Sequence, residues 1–182
     1  MKKDYRNLSE LIKNKLSREE DLNTKKLINE LKKVRKQGYF TKDEFLKMCS
    51  WKSPRPKRYY ESNSAELIED ISKNVISTKY EKRKIDLLTK LKGVNIPTAS
   101  AILTLIDPQN YGVIDIRVWQ LLYLYGSVKK NPRGQGFNFN DWFYYLSKLR
   151  YFAKKFHCLV RNIEYSLFQY HKKIQVGNLY KY

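Results

Sequence analysis

Residues 91–119 read LKGVNIPTASAILTLIDPQNYGVIDIRVW, a pattern that predicts two helices joined by a tight turn, then a loop and a third helix. The turn falls at residues 93–95, where glycine and asparagine accept the left-handed backbone region that most residues avoid. Pro97 suits the first turn of the second helix, because its φ is already fixed and its missing N–H is no loss. Asp107 is expected to end that helix, since a residue before proline is pushed out of the α region. Asp115 then lies between two isoleucines, where an apolar residue would be usual.

Seven residues of this stretch form a recognisable pattern: Leu91, Gly93, Val94, Thr98, Ala99, Ile114 and Asp115. On these residues the chain resembles the helix-hairpin-helix DNA glycosylase superfamily, the endonuclease-III-like base-excision enzymes. The resemblance implies an all-α, two-lobed domain over residues 1–182, with the hairpin at 83–106, helical lobes on either side and a catalytic aspartate at 115. Two positions depart from the family pattern. Asn95 replaces the third hairpin glycine, and Pro97 stands where the bifunctional members carry their catalytic lysine.

The charge of the chain favours a polyanionic partner. The formal net charge is +19, from 37 basic and 18 acidic residues, spread through the helical segments rather than gathered in a tail. Charge of this size suits nucleic acid or a membrane surface. A lysine-rich composition inherited from an AT-biased genome is the plainer alternative. With the hairpin, the charge predicts double-stranded DNA as the partner.

The composition also excludes several classes of protein. Two cysteines, Cys49 and Cys158, are too few for a four-cysteine iron–sulfur cluster or a metal quartet, so we expect no metal and no cofactor. No apolar run approaches the length of a membrane span. The first residues, MKKDYRNLSE, do not resemble a signal peptide. These features predict a monomeric protein without a membrane partner, located in the cytoplasm and associated with the nucleoid if the source is bacterial.

The turn at residues 93–95 is expected to bind a DNA phosphate. A tight turn leaves backbone N–H groups unpaired at the start of the next helix, where the helix dipole also attracts anions. The residues expected at the phosphate are Gly93, Asn95, Ile96 and Thr98. Such a contact positions the duplex without reading its sequence. The alternative is an ordinary turn between helices that happens to contain glycine.

Asp115 is expected to perform the chemistry. It follows Pro97 by 18 residues, which is the spacing between the lysine and the aspartate in the family. Breaking an N-glycosidic bond builds positive charge on the sugar, and a nearby carboxylate stabilises that charge and orients the attacking water. The alternative is that Asp115 only caps the helix that begins at Ile116, although the two roles are compatible.

Pro97 sets the expected type of reaction. A bifunctional glycosylase attacks the sugar with an amine and then cleaves the strand, whereas proline offers no nucleophile. The sequence therefore predicts a monofunctional enzyme that leaves an abasic site and has no lyase activity. The excised base stays open, since uracil, alkylated purines, oxidised guanine and modified cytosines are all compatible with this pattern.

A pocket for a flipped base is expected between the helices before the hairpin and those after Asp115. Its candidate lining residues are Trp51, Lys52, Arg55, Tyr59, Trp119 and Trp142. Arg117 is a candidate to hold the carboxylate or to contact phosphate. Most of the aromatic residues would equally suit a hydrophobic core. Residues 51–60 contain two prolines and predict an extended turn rather than a helix, and Asn140 or Asp141 is expected to cap a later helix.

The favoured function is thus a base-excision repair glycosylase acting on double-stranded DNA that contains a modified base. Two rival hypotheses stay open. The first is a non-catalytic helix-hairpin-helix DNA-binding protein. The second is a small basic RNA-binding or interaction module in which the hairpin is coincidental.

Overall fold

The computed structural model of the protein describes residues 2–177 and residue 179. Within these residues the chain forms ten helices and no strand, which confirms the predicted all-α class. The helices are α1 (Leu8–Lys15), α2 (Leu22–Gln37), α3 (Lys42–Lys52), α4 (Lys57–Glu61), α5 (Ala65–Ser77), α6 (Glu81–Leu88), α7 (Ile96–Ile106), α8 (Ile116–Leu124), α9 (Phe139–Phe156) and α10 (Val160–Ile174). The predicted domain of 1–182 includes residues 1, 178 and 180–182, which lie outside the described residues. Of the helices described, none is long and apolar enough to cross a membrane.

Polar caps set most of the helix boundaries. Thr41 and Glu44 form a capping box at the start of α3, in which each side chain accepts from the other residue's backbone N–H. Gly38 ends α2 with a φ of +84°, a left-handed conformation that glycine adopts without a Cβ clash. Asp115 caps α8 through its side chain. The last of these boundaries lies where the sequence predicts the start of the third helix.

Helix α7 is the most deeply buried element. Every residue from Thr98 to Ile106 is buried, as expected for an apolar helix without a polar face. Helices α2, α3, α6 and α9 all pack against it. A second group forms around α10, which packs on α1, α8 and α9. The segment that leaves α7 and enters α8 therefore connects two groups of helices that share α9.

Two sequence-based expectations about local structure are wrong. Residues 51–60 are not one extended turn, because α3 continues through Lys52 and α4 begins at Lys57. Pro56 precedes α4 as its N-cap, where its missing N–H is no loss, so this proline opens a helix instead of preventing one. Helix α9 starts at Phe139, and its cap is Asn138 rather than Asn140 or Asp141. Asp141 instead completes a capping box with Asn138.

Candidate active site

The turn before α7 presents backbone amides to the surface. Gly93 has a φ of +85°, and the side chain of Asn95 caps α7 by accepting from Thr98 N at 3.0 Å. Among the described residues, the amides of Gly93, Asn95 and Ile96 donate to no protein acceptor. All three residues are at least partly exposed. These are three of the four residues at which the sequence predicts a phosphate contact. The fourth, Thr98, offers no free N–H group, because its amide and its hydroxyl both bond to Asn95 and its side chain is buried.

The turn is attached to the segment just after α4 by a reciprocal pair of hydrogen bonds. Asn63 accepts from Lys92 N at 2.8 Å and donates to Lys92 O at 3.1 Å. A Cβ built on Gly93 would lie 2.8 Å from the Tyr60 ring and 3.0 Å from Tyr59 Cβ. Glycine is therefore needed here for space as well as for its positive φ. The close approach places the exposed Tyr59 side chain beside the turn.

The segment that follows α7 runs back along that helix towards its start. Ile114 N donates to Ser100 Oγ at 3.0 Å, and Ser100 Oγ itself donates to Pro97 O at 2.7 Å. From the other side, the buried hydroxyl of Tyr145 donates to Val113 O at 2.7 Å. Ser100 lies four residues into α7, about 6 Å along its axis from Ile96. These contacts fix Asp115 near the end of α7 that carries the free amides.

Asp115 is held through both carboxylate oxygens. Its Oδ1 accepts from Arg117 N at 3.0 Å, which is the capping contact at the start of α8. Its Oδ2 lies 3.0 Å from Lys52 Nζ at the end of α3. The Asp115 side chain is 14% exposed and that of Lys52 is 19% exposed. The Asp115 carboxylate is thus held in a fixed orientation, and without DNA bound its charged partner is the Lys52 ammonium group.

Lys52 and Tyr59 connect the carboxylate with the turn. Lys52 ends α3 at Asp115, whereas Tyr59 in α4 lies against Gly93. The segment between them is short, with Arg55 exposed at its surface and Arg58 stacked on the Tyr59 ring at 4.8 Å. Three of the predicted pocket residues (Lys52, Arg55 and Tyr59) therefore lie on one segment, which joins the Asp115 carboxylate to the turn before α7.

The other predicted pocket residues lie elsewhere. Trp119 and Trp142 are buried in the hydrophobic core, at 2% and 0% exposure, and offer no face to a flipped base. Trp51 is half-buried and donates through its indole N–H to Thr24 Oγ1 at 2.8 Å. Arg117 supports Asp115 through its backbone only, because its guanidinium lies over the Phe168 ring at 5.4 Å.

A buried layer of charge lies behind Asp115. Glu164 is 2% exposed and forms an ion pair with Arg161, which also binds Glu20 with Nε–Oε2 at 2.6 Å. Burial raises the pKa of Glu164, the Arg161 charge opposes that rise, and the nearby Asp115 charge adds to it. The buried layer therefore carries its own compensating cation, which leaves Lys52 as the partner of Asp115.

Helix α10 adds a neutral histidine to this layer. His171 is 1% exposed and its Nε2 lies 3.1 Å from Gln120 Oε1. Burial, together with the Arg117 charge, lowers the pKa of His171 to about 4. The imidazole is therefore uncharged near neutral pH. This buried, hydrogen-bonded position suits a structural role for His171.

Cavities large enough for a small ligand occur away from Asp115. One of about 290 Å³ lies along α6 between Tyr80 and Lys90, and one of about 580 Å³ lies between α1 and Lys155.

Within the described residues, no group of three or more His, Cys, Asp or Glu side chains is arranged to hold a metal ion. Sequence reasoning missed the contacts of Ser100 and Tyr145, because hydrogen bonds to main-chain atoms leave no pattern in the sequence.

Comparison with protein-family models, curated proteins and solved structures finds no match to this chain.

Proposed function

We propose that this protein is a DNA glycosylase that hydrolyses the N-glycosidic bond of a modified base in double-stranded DNA and leaves an abasic site. The observation that supports this proposal most directly is the placement of Asp115, a fixed carboxylate near the start of α7, where the free backbone amides also lie. In this proposal α6, the turn and α7 act as a helix-hairpin-helix motif within a two-lobed monomer. In this proposal base release uses water, and the hairpin itself provides no amine, since position 97 is proline.

The turn would bind the backbone of the duplex. Three free amides at Gly93, Asn95 and Ile96, at the positive end of a buried helix, suit a phosphate oxygen. Lys90 and Lys92 are exposed beside the turn and add positive charge. The net charge of +19 supplies further attraction to the duplex. This part of the site holds the DNA but does not select a base.

Asp115 would stabilise the charge that develops on the sugar. As the bond to the base breaks, the deoxyribose acquires oxocarbenium character, and a fixed carboxylate stabilises it without reorganising. The Arg117 amide holds one oxygen in place, which leaves Oδ2 to face the sugar or the attacking water. Lys52 occupies that oxygen in the free protein, so its ammonium group must shift when the sugar arrives.

The test is a panel of duplexes that each contain one modified base, scored for abasic sites by strand breakage in hot alkali. The variant is Asp115→Asn, which keeps the shape of the side chain and removes its charge. We expect base release to fall at least about 100-fold, as when one preorganised electrostatic group is removed from an active site. Duplex affinity should change little, because the free amides are untouched.

Asp107→Asn is the matched control. Asp107 follows the opposite end of α7, has the same 14% exposure as Asp115, and is also ion-paired, with Arg35 Nη1 at 3.3 Å. This substitution should preserve base release. Equal rates for wild type and Asp115→Asn would remove Asp115 from the chemistry. Duplex binding without release of any base would favour the non-catalytic DNA-binding protein, and a preference for RNA over duplex DNA would favour the RNA-binding module.

A further inference from the structure

Lys52 differs from the other lysines that form ion pairs. Its side chain is 19% exposed, whereas the lysines of the other described ion pairs are between 49% and 68% exposed. Surface pairs of that kind contribute little and exchange readily with solvent. Lys52 is instead a partly desolvated amine that points at one carboxylate oxygen.

The end of α3 is held rigidly, so the backbone that carries the Lys52 side chain is fixed in place. Trp51, the neighbour of Lys52, donates to Thr24 Oγ1 at 2.8 Å, and the Arg161 guanidinium lies 5.4 Å from its ring centroid. Arg161 is in turn fixed by two hydrogen bonds to Glu20. Side chains from α2, α10 and the segment before α2 thus hold the turn of helix that carries Lys52.

The geometry brings the amine within reach of any sugar that contacts Asp115. Reacting atoms in a productive complex lie about 3 to 3.5 Å apart. A sugar C1′ at that distance from Asp115 Oδ2 would lie at most about 6.5 Å from Lys52 Nζ, because Nζ is 3.0 Å from the same oxygen. Rotation of the flexible lysine stem closes the remaining gap.

We propose that Lys52 is a nucleophile that forms an imine with C1′ of an abasic deoxyribose, which gives the protein a strand-cleaving lyase activity. The inference rests on the proposed function, since it takes Asp115 as the group beside the sugar. It departs from the expectation drawn from Pro97, because the amine comes from α3 and not from the hairpin.

The chemistry balances without any further reagent. The Lys52 ammonium group passes one proton to Asp115, and its lone pair adds to the C1′ aldehyde of the open-chain sugar. The resulting hydroxyl leaves as water with the proton from Asp115, so the products are a protonated imine and a restored carboxylate. The restored Asp115 carboxylate then removes a C2′ proton, the C3′–O bond breaks, and the phosphate leaves with the electron pair; Asp115 afterwards returns the proton to solvent. Water hydrolyses the imine and regenerates Lys52.

The test uses a duplex with a single abasic site, which contains no base to excise and so does not depend on the identity of that base. Wild-type protein is incubated with this duplex and borohydride, which reduces the imine to a stable amine. We expect a covalent adduct that maps to Lys52 by peptide mass spectrometry. Without borohydride, we expect strand cleavage without alkali.

Lys52→Arg is the decisive variant, because arginine keeps the positive charge beside Asp115 but has no nucleophilic amine. Adduct and strand cleavage should fall at least about 100-fold, as expected for loss of a nucleophile. The matched control is Lys47→Arg, which lies on the same helix in an exposed pair with Asp43 and Glu30 and should retain full cleavage. Duplex affinity and thermal melting of each variant show that it is folded.

Two results would overturn the inference. One is the absence of any adduct from wild-type protein that binds the abasic duplex. The other is an adduct at a different amine that persists in Lys52→Arg. Neither result affects the proposed glycosylase, which is decided separately by base release from the modified duplexes. Cleavage of the abasic duplex without release of any base would retain Lys52 and reject the glycosylase step.

Discussion

Replacing Gly93 by alanine tests how closely the turn is fitted to α4. The left-handed backbone at φ +85° costs an alanine about 1–2 kcal/mol. The added Cβ would also lie 2.8 and 2.9 Å from two carbons of the Tyr60 ring, which is fully buried. Overpacking of this kind costs about 1–3 kcal/mol. We therefore expect the free energy of unfolding to fall by about 2–5 kcal/mol in total.

Gly38→Ala separates the two contributions. Gly38 has nearly the same φ, +84°, but a Cβ there meets no heavy atom within 4 Å. Its substitution should cost only the conformational part, about 1–2 kcal/mol. The reduction in unfolded-state entropy by alanine is the same at both sites. The difference between the two variants, about 1–3 kcal/mol, measures the contact with Tyr60.

The assay is urea unfolding followed by circular dichroism, with all variants compared at constant slope. A double-mutant cycle with Tyr60→Leu adds a direct check, because a smaller side chain should relieve the clash with alanine at 93 and leave the cost at 38 unchanged. Equal losses for Gly93→Ala and Gly38→Ala, or no coupling with Tyr60, would refute the argument that the turn needs glycine for space.

Two further predictions concern the support of the site. Ser100→Ala should lower the free energy of unfolding by about 1–3 kcal/mol, because it leaves the buried Ile114 amide without an acceptor. Base release should fall while duplex affinity stays the same. Loss of duplex affinity alone would contradict the role of Ser100 in placing Asp115. His171 should make the protein less stable as pH falls from 6.5 towards its folded-state pKa of about 4, since the unfolded chain binds more protons over that range. The loss is at most about 3 kcal/mol, and it should be absent in His171→Gln, with urea unfolding at several pH values as the measurement.

The sequence was most informative where local chemistry decides the structure. The capping box of Thr41 and Glu44, the end of α2 at Gly38 and the burial of α7 all follow from short-range patterns in the sequence. The placement of Asp115 at the start of α8 follows in the same way. Errors arose where two local signals compete. Pro56 can break a helix or begin one, and packing of Tyr60 into the core decides in favour of α4.

The composition of the site was less predictable because it depends on distant contacts. An amphipathic pattern gives no means of telling a core tryptophan from a stacking one, so Trp119 and Trp142 entered the predicted pocket although both are buried. Lys52 was placed in that pocket as a generic cation. Its pairing with Asp115 joins residues 63 positions apart in the chain, and only the packing of α3 against α7 brings them together.

The hydrogen bonds that hold the segment before Asp115 have a consequence for divergence. Ser100 and Tyr145 act on main-chain atoms of Ile114 and Val113, so any apolar side chains of suitable size satisfy positions 113 and 114. The free amides of the turn are likewise main-chain groups, although position 93 itself must remain glycine. A site built in this way tolerates many amino-acid substitutions while its geometry is kept. Two chains that share the site need therefore have little recognisable sequence similarity.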